Sequence, residues 1–189
     1  MERINVTFTG KAPLLMHSCI GVNPTHPLSI ESKKITSKRT KTEEDHEKIL
    51  EIGFLLALYY DEEVGVFIPA TNVEASIREA AKKFKLGKTV VSGLIIPDDM
   101  IKLIYQGPKT PQKLFEDYRF KDVRAVNVQR SKVLRCRPRF DRWSINFDLE
   151  YDKSLFDRET IENILHTAGL YIGLCDYRPR YGRFEAAIN

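Results

Sequence analysis

The amino-acid sequence predicts a mixed α+β fold, and three of its stretches support that prediction. Apolar and polar residues alternate over residues 4–9 and again over 143–151, which is the pattern of strands that bury one face. Asp157 precedes apolar residues that recur at helical spacing as far as Ile172, which indicates a helix with an N-cap and one buried stripe. Strand and helix patterns therefore occur in one chain, as expected of the α+β class.

The segment after the first strand is predicted to leave the core. Residues 11–41 are rich in Pro, Ser, Thr and Lys and show no clear period, so they predict a long excursion. Thr42, with Asp45 three residues later, then predicts a capping box at the start of a helix that ends near residue 60.

The middle of the chain predicts a second pairing of strand and helix. Residues 66–69 are typical of a short strand that ends in a turn, and Thr71 to Glu74 match a capping box. The helix that follows is predicted to end at Leu86–Gly87. Further strands are predicted at 90–96, 101–105 and 184–188, and a hairpin with a charged tip at 126–134.

Without its excursions, the chain reads strand, helix, strand, then strand, helix, strand. This order is that of a ferredoxin-like (RRM-like) split β-α-β core. Its long insertions are a loop-plus-helix after strand 1 and a basic β-hairpin before the penultimate strand. With 189 residues, the chain is predicted to form a single domain over 1–189, with insertions at about 11–60 and 106–142.

Composition favours a soluble, cytoplasmic protein. Hydrophobic residues make up 42% of the chain, which is enough for a packed core. The longest apolar run, residues 54–60, is too short to cross a bilayer, so no membrane partner is expected. The three cysteines form no C-x-x-C pair, and their odd number argues against a disulfide framework.

Basic residues are concentrated in three places, although the net charge is only +4. Residues 119–142 contain nine basic side chains and two aspartates, so this segment carries +7 and the rest of the chain −3. A second cluster lies at 33–41, and residues 173–184 combine arginine, tyrosine and glycine after the last helix, which Gly173 is predicted to cap. Charge clusters are often solvated surfaces, but three of them in an otherwise acidic chain favour a polyanionic partner.

The predicted partner is single-stranded RNA or DNA, with arginine and lysine at its phosphates and tyrosine at its bases. The candidate nucleic-acid-binding residues are Lys34, Lys38, Arg39, Lys41, Arg124, Arg130, Lys132, Arg135, Arg137, Arg139, Tyr177, Arg178, Arg180, Tyr181 and Arg183. Phe140 is a third stacking candidate. Core packing is the alternative for each tyrosine, and an ion pair with Asp176 or Glu185 is the alternative for Arg183.

Three segments resemble the RAMP superfamily of CRISPR-associated proteins, in the same order along the chain. They are the leading strand with its apolar continuation at 6–16, the strand–proline–helix element FIPATNVEASIR at 67–78, and the glycine-rich loop at 173–184. Ala70 stands where the family pattern has glycine. The resemblance is greatest to the guide-RNA-lining backbone subunits of CRISPR effector complexes, or to a stand-alone phage-encoded relative.

This resemblance implies a largely sequence-independent binder of single strands, with RNA favoured. It implies self-association along the strand into a filament or ring, and association with other effector-complex subunits. It also implies a bacterial, archaeal or phage-infected host cell.

Few catalytic patterns are present, so the chain is predicted to bind without catalysing a reaction and without a cofactor or metal. Backbone subunits that cleave RNA use an aspartate in an early loop, and residues 10–41 contain none. Repeat-processing endoribonucleases of the superfamily often use an early histidine, which His17 matches. The first alternative is therefore a metal-independent endoribonuclease that acts through His17 and nearby Lys or Tyr residues. The second is a phage virion assembly or structural subunit whose basic clusters pair with acidic neighbours.

Overall fold

The computed structural model describes residues 1–128 and 131–189. Helices and antiparallel sheets both occur, so the predicted α+β class is confirmed. The chain divides into two compact units: unit 1 comprises Met1–Leu14, Asp61–Gln106 and Phe140–Asn189, and unit 2 comprises Leu15–Tyr60 and Gly107–Arg139. The single domain over 1–189 and the bounds of its insertions stay predictions.

The main sheet of unit 1 has four strands in the order β10-β1-β9-β5, and each strand is antiparallel to its neighbours. The strands are β1 (Glu2–Gly10), β5 (Leu94–Ile95), β9 (Ser144–Tyr151) and β10 (Phe184–Ile188). In β9, and at Ile4, Val6 and Phe8 of β1, every second side chain is buried, as the sequence alternation predicts. The predicted closing strand at 184–188 is also confirmed.

Two helices bury their apolar stripes in the core of unit 1: α3 (Ala70–Ala81) and α6 (Arg158–Thr167). From the sheet, the ring of Phe8 stacks on that of Phe184 with centroids 3.9 Å apart, and it meets Phe147 edge-on at 5.0 Å. Burying one phenylalanine side chain is worth about 1.5–3 kcal/mol, so this cluster holds β10 firmly against β1.

Unit 1 also contains β4 (Gly65–Pro69), which pairs with β6 (Met100–Lys102), and the short helix α4 (Gly87–Gly93). The strand predicted at 66–69 is confirmed by β4. The strand predicted at 90–96 is wrong over most of its length, because Val90 is buried as part of α4 and only two residues remain as β5.

The start of α3 differs from the sequence prediction. The helix begins at Ala70, and Pro69 occupies the N-cap position without a side-chain hydrogen bond, so the capping box predicted from Thr71 to Glu74 is wrong. The carboxylate of Glu74 instead accepts a hydrogen bond from the N–H of Ile96, 3.4 Å away. A tertiary contact has therefore taken the acceptor that a local cap would use.

The predicted end of α3 is wrong, whereas the predicted start of α6 is confirmed. The α-helical part of α3 ends at Ala81 and a 3-10 turn follows, so the predicted end at Leu86–Gly87 is too late. At the start of α6 the predicted N-cap is confirmed, since Asp157 Oδ1 accepts from the N–H of Thr160 at 2.7 Å.

The part of unit 2 that the structure describes contains three α-helices and two paired antiparallel strands, besides short 3-10 turns. The elements are α1 (Pro27–Thr36), α2 (Glu43–Ala57), α5 (Pro111–Glu116), β7 (Lys121–Val128) and β8 (Ser131–Phe140), whose last residue belongs to unit 1. The two-residue strands β2 (Leu14–Leu15) and β3 (Tyr60–Asp61) lie where the chain passes from one unit to the other. The predicted capping box of α2 is confirmed: Thr42 Oγ1 accepts from the N–H of Asp45 at 3.2 Å, and Asp45 Oδ2 accepts from the N–H of Thr42 at 3.1 Å.

Helix α1 lies within residues 11–41, where the sequence predicts only an excursion. Pro27 occupies the first turn, and His26 Nδ1 accepts from the N–H of Leu28 at 3.3 Å. None of the residues of α1 is buried, so its sequence lacks the apolar stripe by which a helix is recognised. The predicted absence of regular structure is therefore wrong here.

Helix α2 contacts other elements of unit 2 at its C-terminal end. Phe54 of α2 meets Phe115 of α5 edge-on, with ring centroids 5.6 Å apart. The N–H of Ser18 donates to the carbonyl of Ala57 at 2.9 Å.

Within residues 1–128 and 131–189, none of the helices is both long and apolar enough to span a membrane.

Candidate nucleic-acid interface

The hairpin of β7 and β8 gathers four arginines on one face. Its register places Arg124 opposite Arg135, and Asp122 opposite Arg137. Directly paired residues share a face and successive residues alternate, so Arg124, Arg135 and Arg137 lie on the same side, and Arg139 continues the series. These four arginines are called the arginine face below. The hairpin predicted at 126–134 with a charged tip corresponds to the paired strands β7 and β8, to which Ser131 and Lys132 belong, and residues 129 and 130 of the predicted tip lie outside the described residues.

The sequence of β7 and β8 supplies few acidic residues beside the arginine face. Asp122 is the one acidic residue in the sequence of these two strands, and it makes a bidentate ion pair with Arg124. Arg135 is exposed, whereas Arg137 is buried. Like charges directly opposite each other on a sheet are destabilising. Asp122 compensates Arg124, so the exposed Arg135 directly opposite is the positive charge of this pair that an external anion would stabilise.

The buried end of the arginine face is tied to the segment after β2. Arg137 Nε donates to His17 Nδ1 at 3.3 Å, and the Tyr59 hydroxyl donates to the backbone carbonyl of His17 at 3.2 Å. The N–H of Met16 donates to the carbonyl of Pro138 at 3.0 Å, which fixes this segment along β8. The guanidinium of Arg137 thus contacts the imidazole of His17, and the Tyr59 hydroxyl contacts the backbone of the same residue, contacts that the sequence alone does not show.

The opposite face of the hairpin is largely apolar. Val123 and Leu134 are 47% and 58% exposed, respectively. Lys132 pairs with Asn127 on this face, so it points away from the arginine face. The sequence prediction assigned Lys132 and the four arginines to the same partner. Arg130, the remaining predicted contact of the hairpin, lies outside the described residues.

In the basic cluster at 33–41, Lys38 and Lys41 form hydrogen bonds within unit 2. Lys38 Nζ donates to Asp45 Oδ1 at 2.6 Å, and Lys41 Nζ donates to the carbonyl of Lys38 at 2.9 Å. The hydrogen bond from Lys38, together with that from the Thr42 backbone, holds the pKa of Asp45 below its usual value. Two other predicted contacts of this cluster are exposed: Lys34 and Arg39.

The loop after the last helix is anchored through its backbone. Gly173, with φ of 79°, ends a π-helical turn at Ala168–Ile172, so its predicted role as a helix cap is confirmed. The N–H of Gly182 donates to the carbonyl of Pro13 at 2.8 Å, and the N–H of Leu174 donates to the carbonyl of Gly182 at 2.9 Å. Gly182 itself has φ of 71°, a conformation that glycine adopts without strain.

The side chains of this loop differ in their freedom to meet a ligand. Arg183 Nε donates to the carbonyl of Pro179 at 2.8 Å, and Glu185 pairs with Lys11 at 2.5 Å, so Arg183 is held by the loop's own backbone. The structure brings the remaining predicted residues of the loop to the surface in different degrees. Arg178, Arg180 and Tyr177 are exposed, and Tyr181 is half-buried.

Phe140 cannot stack on a base. It is fully buried, and its ring meets that of Tyr105 with centroids 4.9 Å apart. The prediction that it stacks on nucleic acid is therefore wrong, because its ring lies in the core and cannot reach a base.

The open face of the four-stranded sheet is polar. Asn5 Nδ2 donates to Asp148 Oδ1 at 2.8 Å, and Asn146 Nδ2 donates to Thr7 Oγ1 at 2.9 Å. Arg3 also pairs with Asp148, and hydrogen bonding from Asn5 and Arg3 lowers the pKa of that carboxylate. The strand positions that point to this side carry no aromatic residue, so base stacking on the sheet, as an RRM-like surface would offer, has no platform here.

Within the described residues 1–128 and 131–189, no group of three or more His, Cys, Asp or Glu side chains could hold a metal ion. Compared with models of known protein families and with curated protein sequences, the chain matches none.

Proposed function

We propose that this chain binds single-stranded nucleic acid, with RNA favoured, through the arginine face of its β-hairpin, and that it does so without catalysing a reaction. The observation that carries the proposal is the pairing of Arg124 with Arg135 on a face whose one acidic residue is Asp122. A phosphate backbone supplies negative charge along its length, and guanidinium groups bind phosphate in bidentate geometry.

The surroundings of the arginine face favour single strands over duplex. Val123 and Leu134 offer exposed apolar contact area on the other side of the same hairpin. Bases of a single strand can reach such surfaces, whereas those of a duplex are stacked within it. Because phosphates carry no sequence information, binding is expected to tolerate sequence changes.

The proposed fold is ferredoxin-like. The sheet order β10-β1-β9-β5 corresponds to fourth, first, third and second strand of a strand–helix–strand, strand–helix–strand chain, which supports the assignment. Resemblance of the quoted segments to the RAMP superfamily supports a role like that of the guide-RNA-lining backbone subunits, or of a stand-alone phage-encoded relative. In that role the protein self-associates along the strand, alone or with other effector-complex subunits, in the cytoplasm.

Binding and its salt dependence test the proposal directly. A fluorescently labelled single-stranded RNA is titrated with the protein, and the fluorescence anisotropy is followed over a range of salt concentrations. We expect log K to fall linearly with log salt, with a slope of about −0.7 for each phosphate contact. Absence of binding at low salt, with a protein that is folded by circular dichroism, would refute the proposal.

A metal-independent endoribonuclease is the second candidate, because Arg137 donates to His17 and Tyr59 contacts the same residue. In that reaction the imidazole takes the proton of a 2′-hydroxyl, whose oxygen attacks the adjacent phosphorus. The bond to the 5′-oxygen breaks, and that oxygen leaves with a proton from water, while Arg137 balances the added negative charge.

Cleavage in the presence of chelator separates the two candidates. A labelled hairpin RNA is incubated with the unmodified chain, with His17→Ala, and with His46→Ala as a control for removing an exposed histidine elsewhere in unit 2. Discrete products that only His17→Ala abolishes would establish the endoribonuclease. Intact RNA with all three proteins favours the binder.

A further inference from the structure

A cavity of about 650 Å³ lies in unit 1, beside the edge strand β5 of the main sheet. Helix α3 borders it through one face, on which Thr71, Ala75 and Arg78 follow each other at helical spacing. Val91 of α4 and Ile95 of β5 line its other sides. Its volume falls within the range of about 300–1,000 Å³ that is typical of small-molecule sites.

Most of the cavity lining is aliphatic. Met1, Val91 and Ile95 all border it, and they are 69%, 65% and 49% exposed, respectively. Single exposed apolar side chains are common on protein surfaces, but several around one cavity are typical of a binding site. Among the described residues, no aromatic side chain lines the cavity, so a base or another planar ring has no partner for stacking. An aliphatic chain is the ligand body that suits this lining.

Arg78 is the basic residue of the cavity lining. Glu74 precedes it by four positions, a spacing at which the two side chains could form a local ion pair. The Glu74 carboxylate instead accepts from the N–H of Ile96 at 3.4 Å, and Glu79 pairs with Lys82 at 2.6 Å. Within residues 1–128 and 131–189, no hydrogen bond or ion pair holds the guanidinium of Arg78, which is exposed. An anionic head group can therefore bind it.

The cavity volume limits the length of the chain. At about 30 Å³ for each non-hydrogen atom, 650 Å³ has room for about 20 such atoms. We infer that the cavity binds an aliphatic chain of about ten to sixteen carbons with one anionic head group, a carboxylate or a phosphate. The head group contacts Arg78, and the chain lies against Val91 and Ile95. This inference does not rest on the proposed function, because the cavity belongs to unit 1 and the arginine face to unit 2.

Isothermal titration calorimetry of the full chain with dodecanoate, below the concentration at which it forms micelles, tests the inference. We expect a single saturable site. Decanoate is two methylenes shorter and should bind about fifteenfold more weakly, because each buried methylene contributes about a factor of four. Titration with dodecyl phosphate distinguishes the two head groups, since the preferred one should bind more tightly.

Three variants separate the contribution of the chain from that of the head group. Ala75→Leu places a larger side chain in the cavity and should abolish binding without changing the charge. Arg78→Ala should weaken binding about fivefold, as expected for an exposed ion pair. Arg142→Ala is the matched control and should leave Kd unchanged. It removes an exposed arginine of unit 1 just before β9, whereas β5 pairs with the opposite end of that strand.

Absence of saturable binding by the unmodified protein, when circular dichroism shows that it is folded, would refute the inference. Binding that Ala75→Leu leaves intact, with a melting temperature like that of the unmodified protein, would place the ligand elsewhere and would also refute it. Equal losses for Arg78→Ala and Arg142→Ala would mean that general charge attraction, not the cavity, holds the head group. These outcomes leave the proposed function standing, because it is tested with RNA.

Discussion

Arg135 and Lys132 lie on opposite faces of the same strand, and both are exposed, so they form a matched pair for mutagenesis. Arg135 is paired with Arg124 on the arginine face, and Lys132 is paired with Asn127 on the apolar face. Replacing either residue by alanine removes one positive charge from the hairpin. Only Arg135→Ala removes that charge from the face proposed to bind phosphate.

The expected size of the effect follows from the exposure of Arg135. A solvent-exposed ion pair is worth up to about 1 kcal/mol, which corresponds to about a fivefold change in Kd. Loss of one phosphate contact should also flatten the salt slope by about 0.7 for a single strand. Arg124 and Arg137 are less suitable targets, because the first pairs with the buried Asp122 and the second is buried and bonded to His17.

Fluorescence anisotropy with a labelled single-stranded RNA, repeated over a range of salt concentrations, measures both quantities. Arg135→Ala should weaken binding and flatten the slope, and Lys132→Ala should have a smaller effect on both quantities. Equal losses for the two variants would mean that total charge, not the arginine face, determines binding. Unchanged binding by Arg135→Ala would refute its assignment as a phosphate contact.

Three further predictions concern the fold. Thr42→Ala removes one half of a capping box and should lower the free energy of unfolding by about 1 kcal/mol, measured by urea denaturation. Burial raises the pKa of Cys136 to about 11 and that of Cys175 to about 12, so at about pH 8 both stay thiols. A thiol reagent should therefore modify the exposed Cys19 faster than the half-buried Cys175 and the buried Cys136, and mass spectrometry would contradict this if two or three adducts formed at similar rates. Gly182→Ala places a side chain on a residue with φ of 71°, and its cost of at least about 1 kcal/mol should appear as a lower Tm, whereas an unchanged Tm would show that the loop tolerates the strain.

Local chemistry explains where sequence reasoning succeeded. The caps at Thr42 and Asp157 and the left-handed Gly173 depend on neighbours within a few residues, and all three are confirmed. Strand alternation around β1 and β9 is equally local, because it reports only which side of a sheet is buried.

Sequence reasoning failed where distant residues compete for the same groups. Glu74 could cap its own helix, but the backbone of Ile96 takes its carboxylate instead. Phe140 is followed by charged residues in sequence and is nevertheless buried against Tyr105. Helix α1 has no buried residue, so its sequence has no apolar period from which a helix could be predicted.

By itself, the amino-acid sequence determined the α+β class and the concentration of positive charge in residues 119–142 and in the terminal loop. Only the tertiary structure decided how that charge is arranged. Strand register aligns Arg124 with Arg135, and it turns Lys132 to the other face. A hydrogen bond joins Ser76 to Gly173, 97 positions away, and with it α3 to the terminal loop. Register and long-range packing depend on the whole chain burying its apolar surface at once, which a local pattern does not specify.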